Sequence, residues 1–241
     1  MHDDLKALIR QPIAHRGLHD GNKAVWENTL SAFQAAIDAG FAIECDLQYV
    51  ADATAVVFHD DDMERLCKFK GDVRTKSSSE LGLVTIGGTK DKIPSLKQLL
   101  GLVKGRTPLV LELKGREGDD DGFALAVLDA IEDYDGPVAL MSFDHWLLTD
   151  LGELGCPRPV GLTAEGVKPE DFTVHEKVMK SGLDFISYNI MHLPNDYITL
   201  QRSKNIPVIS WTVRSPEQAS HSAANADQIT FEGFDPNQER Y

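Results

Sequence analysis

Short apolar runs rich in β-branched residues alternate along the chain with longer runs in which apolar residues recur every three or four positions. The short runs predict eight β-strands, near residues 12–15, 41–48, 107–113, 137–142, 159–163, 184–188, 207–212 and 227–231. The longer runs predict helices, which begin at Asn28, Ser95, Gly122, Asp144, Pro169, Pro194 and Ser215. Asn28 stands where an N-cap is expected, and Gly40 follows the same helix as a stop signal.

This order of elements predicts the fold. Strands that alternate with helices are parallel neighbours joined by helical crossovers, and eight such units favour a closed (β/α)8 TIM barrel over an open sheet. We interpret residues 1–241 as one barrel domain, because a chain of this length with 42% apolar residues can bury a substantial core. Only ten residues follow the last predicted strand, too few for a full helix, so the segment DDLKALI is expected to cover the base of the barrel.

The longest gap between predicted barrel strands runs from about residue 49 to residue 106. It contains the segment ADATAVVFHD and then a charged, glycine-rich stretch before the helix at Ser95. We interpret residues 61–92 as an insertion after the second strand.

Charge and cysteine content limit the class of protein. The formal net charge is −14, which argues against nucleic-acid binding through the overall field, although a local basic pocket could still hold one small anion. The three cysteines show no paired spacing, and the start MHDDLKALIRQP has neither the basic end nor the apolar centre of a signal peptide. No apolar run approaches the roughly 20 residues that cross a bilayer. We therefore expect a soluble, cytoplasmic protein.

Acidic residues occupy the second predicted strand, in IECDLQ. Glu44 and Asp46 are two positions apart and therefore share one face of the strand. If residues 52–53 form a two-residue hairpin loop, the returning segment places His59 directly opposite Asp46, on that same face. The pattern therefore predicts that two carboxylates and one imidazole converge.

Further polar residues lie where other predicted strands end. The first strand ends at His15 and Arg16, the third at Glu112 and Lys114, and the seventh at Trp211. An isolated acid on a strand is usually solvated or paired with a lysine, and an isolated histidine is more often a satisfied core residue. In a (β/α)8 barrel, however, the carboxyl ends of the strands meet at one face, where such enzymes carry their active sites. These residues together predict an active site at the face where the carboxyl ends of the strands meet.

These residue types suit one kind of chemistry. The three carboxylates offer hard oxygen ligands, which favour Mg²⁺, Ca²⁺ or Mn²⁺ over zinc, and burying them together without a cation would be costly. Arg16 and Lys114 can hold an oxyanion such as phosphate. Histidine is the side chain that ordinarily changes charge near neutral pH, so His15 and His59 can act as general base and general acid. The set predicts cleavage of a phosphoester.

Eight segments also resemble, in order, the motifs of the glycerophosphodiester phosphodiesterases: IAHRG, ENTLSAFQAAIDAGF, IECDLQ, VVFHDDDMERL, IPSLKQLL, LELK, SFDH and PVISWTV. The resemblance runs from residue 12 to about residue 231. It implies a (β/α)8 barrel that uses a divalent metal ion to hydrolyse a small-molecule glycerophosphodiester to glycerol 3-phosphate and an alcohol. It also implies metal ligands at Glu44, Asp46 and Glu112, an acid/base pair at His15 and His59, phosphate contacts from Arg16 and Lys114, and further substrate-site residues at Glu27, Phe143 and Trp211.

Three positions depart from the family's pattern. Asp52-Ala53 stands where the family usually has Asp-Gly, and Phe231 follows Thr230 where it usually has Asp, with Glu232 next. The loop after His59 reads LCKFKGDV rather than a threonine-rich stretch. We therefore expect a substrate preference that differs from typical members, with the insertion over the barrel mouth selecting the leaving alcohol.

Other interpretations fit parts of the pattern. A sphingomyelinase D-like barrel phospholipase could use the same histidines and metal, but would need an exposed apolar rim. A non-catalytic phosphodiester-binding barrel would be expected to have lost a ligand or a histidine, and none is missing. Lys114 could simply neutralise Glu112, and Phe143 and Trp211 could be packing residues. The attacking group could be water or a hydroxyl of the substrate.

Overall fold

The computed structural model describes residues 1–237. Its strands are β1 (Ile13–Ala14), β2 (Ala42–Tyr49), β3 (Ala55–Val57), β4 (Leu109–Lys114), β5 (Val138–Ser142), β6 (Val160–Ala164), β7 (Phe185–Asn189), β8 (Val208–Val213) and β9 (Gln228–Phe231). Its α-helices are α1 (Asp3–Leu8), α2 (Leu30–Asp38), α3 (Glu64–Cys67), α4 (Ser78–Leu81), α5 (Leu96–Val103), α6 (Phe123–Ile131), α7 (His145–Glu153), α8 (Pro169–Met179), α9 (Asp196–Ser203) and α10 (Pro216–Asn225). Short 3₁₀ helices span Val73–Thr75 and Ile190–His192.

All the strands except β3 close into a parallel barrel. The order around it is β1, β9, β8, β7, β6, β5, β4 and β2, and β1 also pairs with β2 to complete the ring. Ile13 joins the two edges, because it lies in register with Ala42 on one side and with Thr230 on the other. The predicted (β/α)8 barrel is confirmed, with strand bounds close to those expected.

Side chains on β2 alternate between the interior of the barrel and the layer between strands and helices. Cys45 and Leu47 point outward into the buried layer between strands and helices. Ala42 belongs to the cluster inside the barrel, and the alternation of a strand sends Glu44 and Asp46 to that same inner face. Cys45 is fully buried and unpaired, as expected for a small core residue between two acids.

Helix α1 covers the base of the barrel, as the segment DDLKALI predicts. Leu5 and Leu8 are buried against apolar residues at the lower ends of the strands, among them Ile13, Phe185 and Ile209. This end of the barrel is therefore closed by hydrophobic packing.

Two helices begin later than predicted. Thr29, not Asn28, caps α2, and its Oγ1 accepts a hydrogen bond from the Ala32 amide at 3.1 Å. Asn28 has a φ of +54° and donates from Nδ2 to the Asp46 carboxylate at 2.8 Å. Helix α9 begins after Asn195, its N-cap, rather than at Pro194. In both cases an asparagine or threonine oxygen satisfies the free amides of the first turn better than the predicted residue does.

The predicted register of the hairpin is wrong by one residue. Strand β3 runs antiparallel to β2 with Leu47 opposite Val57. Continuing that register places Phe58 opposite Asp46, and the Phe58 amide donates to the Asp46 carbonyl at 3.0 Å. His59 therefore reaches the barrel mouth from the segment beyond the ladder.

A three-residue loop, 51–53, causes this shift. The Val50 amide donates to the Thr54 carbonyl at 3.1 Å, and Ala53 takes a left-handed φ of +57°. A left-handed residue at the end of a three-residue hairpin loop is a common geometry. The Asp52 carboxylate also accepts hydrogen bonds from Ser78, at 3.0 Å from its amide and 2.7 Å from its Oγ. The turn is therefore held from outside by α4.

Residues 61–92 pack against this hairpin and reach the carboxyl end of β4. Helices α3 and α4 and the Val73–Thr75 turn contribute to an apolar cluster shared with the hairpin. Its members are Val50, Val56, Phe58, Met63, Leu66, Val73, Leu81, Ile86 and Ile93. Arg74 ties the segment to the barrel, because it donates to the Lys114 carbonyl at 3.0 Å and pairs with Asp120 at 2.8 Å. The segment is a packed layer rather than a loose loop.

Candidate active site

A pocket of about 180 Å³ lies at the carboxyl ends of the barrel strands. All the predicted site residues except Glu27 line it: His15, Arg16, Glu44, Asp46, His59, Glu112, Lys114, Phe143 and Trp211. Glu27 is buried behind the pocket and contacts Arg16. Strands β1, β2, β4 and β8 thus bring distant parts of the sequence to one site.

The HRG segment forms a tight turn directly after β1. Arg16 and Gly17 have φ values of +54° and +78°. A Cβ on Gly17 would lie 2.9 Å from atoms of Ala32, so the turn requires glycine there. This conformation aims the Arg16 amide at Glu44, where it donates to Oε2 at 2.8 Å.

Three buried carboxylates form the floor of the pocket. One oxygen from each of Glu44, Asp46 and Glu112 lies within 4.8 Å of the others. Oε1 of Glu44 is buried without a hydrogen-bond partner. Three hard oxygen donors, one of them unsatisfied, fit a divalent cation of the Mg²⁺, Ca²⁺ or Mn²⁺ type.

The pKa values of Glu44 and Asp46 shift in opposite directions. Burial, and then the neighbouring charges of Asp46 and Glu112, raise the pKa of Glu44 well above its ordinary value. Burial would also raise the pKa of Asp46, but the charges of Lys114 and Arg16 lower it below its ordinary value. A divalent cation at the cluster would offset the repulsion that acts on Glu44.

Two cations border the carboxylates. Nζ of Lys114 lies 2.7 Å from Oε1 of Glu112 and 3.4 Å from Oδ1 of Asp46. Nε of Arg16 lies 3.2 Å from Oδ2 of Asp46, and its Nη1 lies 2.6 Å from Glu27. Burial alone would lower the pKa of Lys114, but the negative charges of Asp46 and Glu112 raise it above the ordinary value. Both side chains are therefore cationic at the pocket wall.

His15 is held by a carboxylate that the sequence prediction missed. Its Nδ1 lies 2.6 Å from Oε2 of Glu232, while its Nε2 lies 3.9 Å from Oε2 of Glu44. Burial lowers the pKa of His15 despite that carboxylate. Period-two alternation could have identified Glu232, because Thr230 lines the pocket and Phe231 packs outward against Phe41.

His59 has a matching support. Its Nδ1 lies 2.7 Å from Oδ1 of Asp60, and its carbonyl accepts from Gln48 at 2.9 Å. Arg65 binds Asp60 through Nε at 2.6 Å and also pairs with Glu27 at 2.8 Å. Asp60 and Arg65 were also missed, because an acid beside a histidine in a charged run usually indicates a solvated loop.

Glu27 connects the two sides of this network. Arg16, Arg65 and Asn22 all donate to its carboxylate, at 2.6, 2.8 and 2.5 Å. Burial alone would raise the pKa of Glu27, but the hydrogen bond from Arg65 and the charge of Arg16 lower it to about 2. Glu27 thus orients Arg16 from outside the pocket.

Phe143 and Trp211 form an aromatic corner of the pocket, after β5 and on β8. Their rings meet edge to face with centroids 5.4 Å apart. Phe143 is 40% exposed, and the indole Nε1 of Trp211 is buried without a hydrogen-bond partner. Phe143 is therefore accessible from the pocket.

A (β/α)8 barrel with buried acids, paired cations and two histidines at its mouth has the features of a barrel phosphodiester hydrolase. The chain belongs to the Glycerophosphoryl diester phosphodiesterase family, which it matches over residues 15–232. It is therefore an enzyme of the phosphoric diester hydrolase class.

The chain is similar to individual proteins over different lengths. A Bacillus altitudinis glycerophosphodiester phosphodiesterase is 27% identical over 94% of this chain and 86% of its own. The uncharacterized protein YqiK of Bacillus subtilis is 30% identical over 55% of this chain, a match that spans 57% of YqiK. An Oleispira antarctica phosphodiesterase, solved with the product sn-glycerol-3-phosphate, has the same fold, with a TM-score of 0.85, 21% identity and 95% of each chain covered.

Among residues 1–237, no helix is long and apolar enough to cross a membrane.

Proposed function

We propose that this enzyme hydrolyses glycerophosphodiesters to glycerol 3-phosphate and an alcohol, with a divalent metal ion held by Glu44, Asp46 and Glu112. The observation that carries the proposal is the unsatisfied Glu44 oxygen inside a cluster of three buried acids. The name of the Bacillus altitudinis relative and the product bound to the Oleispira antarctica enzyme support the substrate class.

The cations of the pocket would hold the scissile phosphate. Arg16 offers a planar fork and Lys114 a point charge, and both lie at the rim of the carboxylate cluster. When bound, a Mg²⁺, Ca²⁺ or Mn²⁺ ion supplies Lewis-acid polarisation of a phosphoryl oxygen and a more acidic nucleophile.

His15 and His59 would move the protons. Each imidazole has its Nδ1 at a carboxylate, Glu232 or Asp60, so Nε2 is the nitrogen left for the substrate. One Nε2 would accept the proton of the attacking hydroxyl, and the other would donate a proton to the leaving alcohol oxygen.

The remaining predicted residues would place the substrate. Glu27 would keep Arg16 in the orientation that faces the phosphate, since the two form an ion pair at 2.6 Å. Phe143 and Trp211 would pack against the carbon atoms of the glycerol unit. Residues 61–92, which follow His59 in the chain and reach the Lys114 carbonyl through Arg74, would contact the alcohol instead.

Release of glycerol 3-phosphate from several glycerophosphodiesters tests this function. We expect activity to disappear when metal is removed by a chelator and to return with Mg²⁺, Mn²⁺ or Ca²⁺. Glu44→Gln should lose this activity, whereas Glu165→Gln is the matched control, because Glu165 is exposed after β6 and bonds only to Asn189 in the part of the chain described. Full activity in a chelated sample would contradict metal dependence.

A lipid-like alcohol is the second candidate. Exposed apolar side chains lie in the segments that follow β5, β6 and β7: Phe143 (40%), Val167 (56%) and Met191 (72%). A rim of this kind is what a phospholipase-like barrel would need. Adding a substrate with a long acyl chain to the same assay distinguishes the two, because only the second candidate requires it to be preferred.

We also propose a cytoplasmic location, supported by the three unpaired cysteines, Cys45, Cys67 and Cys156.

A further inference from the structure

Glu232 occupies a position that the strand register of the barrel makes adjacent to His15. Ile13 pairs with Thr230 and Ala14 with Phe231, so the next step of the register places His15 beside Glu232. The backbone continues this pairing, because the His15 amide donates to the Phe231 carbonyl at 2.9 Å. Neighbouring residues of parallel strands point to the same side. The contact between the two side chains is therefore built into the barrel.

The orientation of Glu232 is fixed at both of its oxygens. Oε2 lies 2.6 Å from Nδ1 of His15, and Oε1 accepts from Nε of Arg214 at 2.6 Å. Nε2 of His19 lies 3.6 Å from Oε2. Nδ1 of His19 accepts from the Gly21 amide, so a neutral His19 carries its proton on the Nε2 that faces Glu232. Arg214 is itself anchored, because its amide donates to Oε1 of Gln218 at 2.7 Å.

We infer that Glu232 is a positioning residue that holds His15 in the tautomer with its proton on Nδ1 and its Nε2 free toward the substrate. A carboxylate flanked by a guanidinium only accepts hydrogen bonds, so the imidazole nitrogen beside it must donate. In its catalytic consequence the inference rests on the proposed function, since it assumes that His15 Nε2 handles a proton. Glu232 acts through His15 and does not itself line the pocket.

The isosteric variant Glu232→Gln is the sharpest test, because it preserves side-chain volume. Arg214 would take the amide oxygen, which leaves the amide NH₂ group facing Nδ1 of His15. That arrangement favours the opposite tautomer and blocks Nε2 as an acceptor. Loss of a group that sets a catalytic tautomer or orients a histidine typically lowers activity at least 10- to 100-fold. We therefore expect kcat to fall about 10- to 100-fold with little change in KM.

Two readouts separate a positioning role from a structural one. Steady-state kinetics on Glu232→Gln, Glu232→Asp and the control Glu165→Gln should show a loss in kcat for Gln, partial recovery for Asp and no change for the control. Nitrogen NMR of ¹⁵N-histidine-labelled protein at about pH 8, where an ordinary imidazole is neutral, should show His15 protonated on Nδ1 in the wild type and on Nε2 in Glu232→Gln. The His15 signals are those lost in His15→Ala, and a thermal melt reports folding.

An unchanged tautomer in Glu232→Gln would overturn the inference, whatever happens to kcat. So would a kcat within about twofold of Glu165→Gln, a difference well below 1 kcal/mol, together with a changed tautomer. If the wild type releases no glycerol 3-phosphate, the proposed function fails, while the NMR comparison still decides whether Glu232 sets the His15 tautomer.

Discussion

The base and the mouth of the barrel are built from the same strands and differ sharply in character. On the inner face of β2, Ala42 packs in the apolar base and Glu44 lies in the carboxylate cluster. On β4, Val110 and Glu112 repeat the change. Two residues of strand, about 7 Å, thus separate hydrophobic core from charged site.

Residues at the base contribute mainly to stability, whereas the charged residues at the mouth contribute to binding and chemistry. Burial of Leu5 and Leu8 at the base favours folding through apolar area removed from water. Burial of like charges at the mouth disfavours folding and is retained for what those charges bind. Substitutions at the base should therefore lower stability, and substitutions at the mouth should lower activity.

The largest expected effect is at the mouth. His15→Ala and His59→Ala should each lower turnover by about 10²–10⁴-fold, the usual contribution of a general acid or base. Thermal melting should stay close to the wild type, because neither imidazole belongs to an apolar cluster of the described chain. Near wild-type turnover in either variant would remove that histidine from the proposed mechanism.

The base should show the opposite behaviour. Leu8 is fully buried in the apolar cluster at the base of the barrel. Replacing a buried leucine by alanine usually costs about 2–5 kcal/mol of stability. Urea unfolding of Leu8→Ala should show that loss, while kcat at a temperature where the variant is folded should match the wild type. A variant that is stable but inactive would mean that the two ends are coupled.

Acid titration tests whether Glu27, behind the pocket, is charged and paired. Its folded pKa of about 2 lies below the ordinary value of 4.5, so the unfolded chain binds the proton first as pH falls. Its contribution, about 3 kcal/mol, is complete above pH 5 or so and is lost toward pH 2. The difference in free energy of unfolding between wild type and Glu27→Gln should therefore shrink over that interval. A difference independent of pH would contradict a charged, paired Glu27.

The smallest effect is expected at the exposed tip of the 61–92 segment. Phe69 is 51% exposed and lies beside Lys70, outside the apolar cluster that fixes the segment. Replacing both with serine should change the ratio of kcat/KM for two substrates with different alcohols by two- to tenfold, up to about 1.4 kcal/mol. Leu83→Ser, at another exposed residue of the segment (77%), is the control. An unchanged ratio in the folded tip variant would argue against a role in selection.

The barrel fold and the position of the carboxylate cluster could be predicted from the sequence, because both follow from local periodicity. Alternation on β2 and β4 predicts that Glu44, Asp46 and Glu112 face inward, and the order of strands and helices predicts which ends meet. The cover at the base of the barrel also follows from the sequence, because the apolar positions of α1, Leu5 and Leu8, lie on one side of that helix.

What could not be predicted depends on contacts between distant segments. Asn28 looks like a helix cap until Asp46 is found beside it, 2.8 Å away. The hairpin register depends on Ser78, which binds Asp52 from another helix. Period-two alternation from Thr230 places Glu232 on the inner face, but its contact with His15 depends on the β1–β9 register.

Titration of Mn²⁺ into metal-free protein tests the central claim most directly, namely that the acids at the mouth exist to hold a cation. We expect one high-affinity site in the wild type and in Glu165→Gln, and a loss of most of that affinity in Glu44→Gln and in Glu112→Gln, with melting curves that confirm folded protein. Undiminished Mn²⁺ affinity in both folded carboxylate variants would contradict the claim.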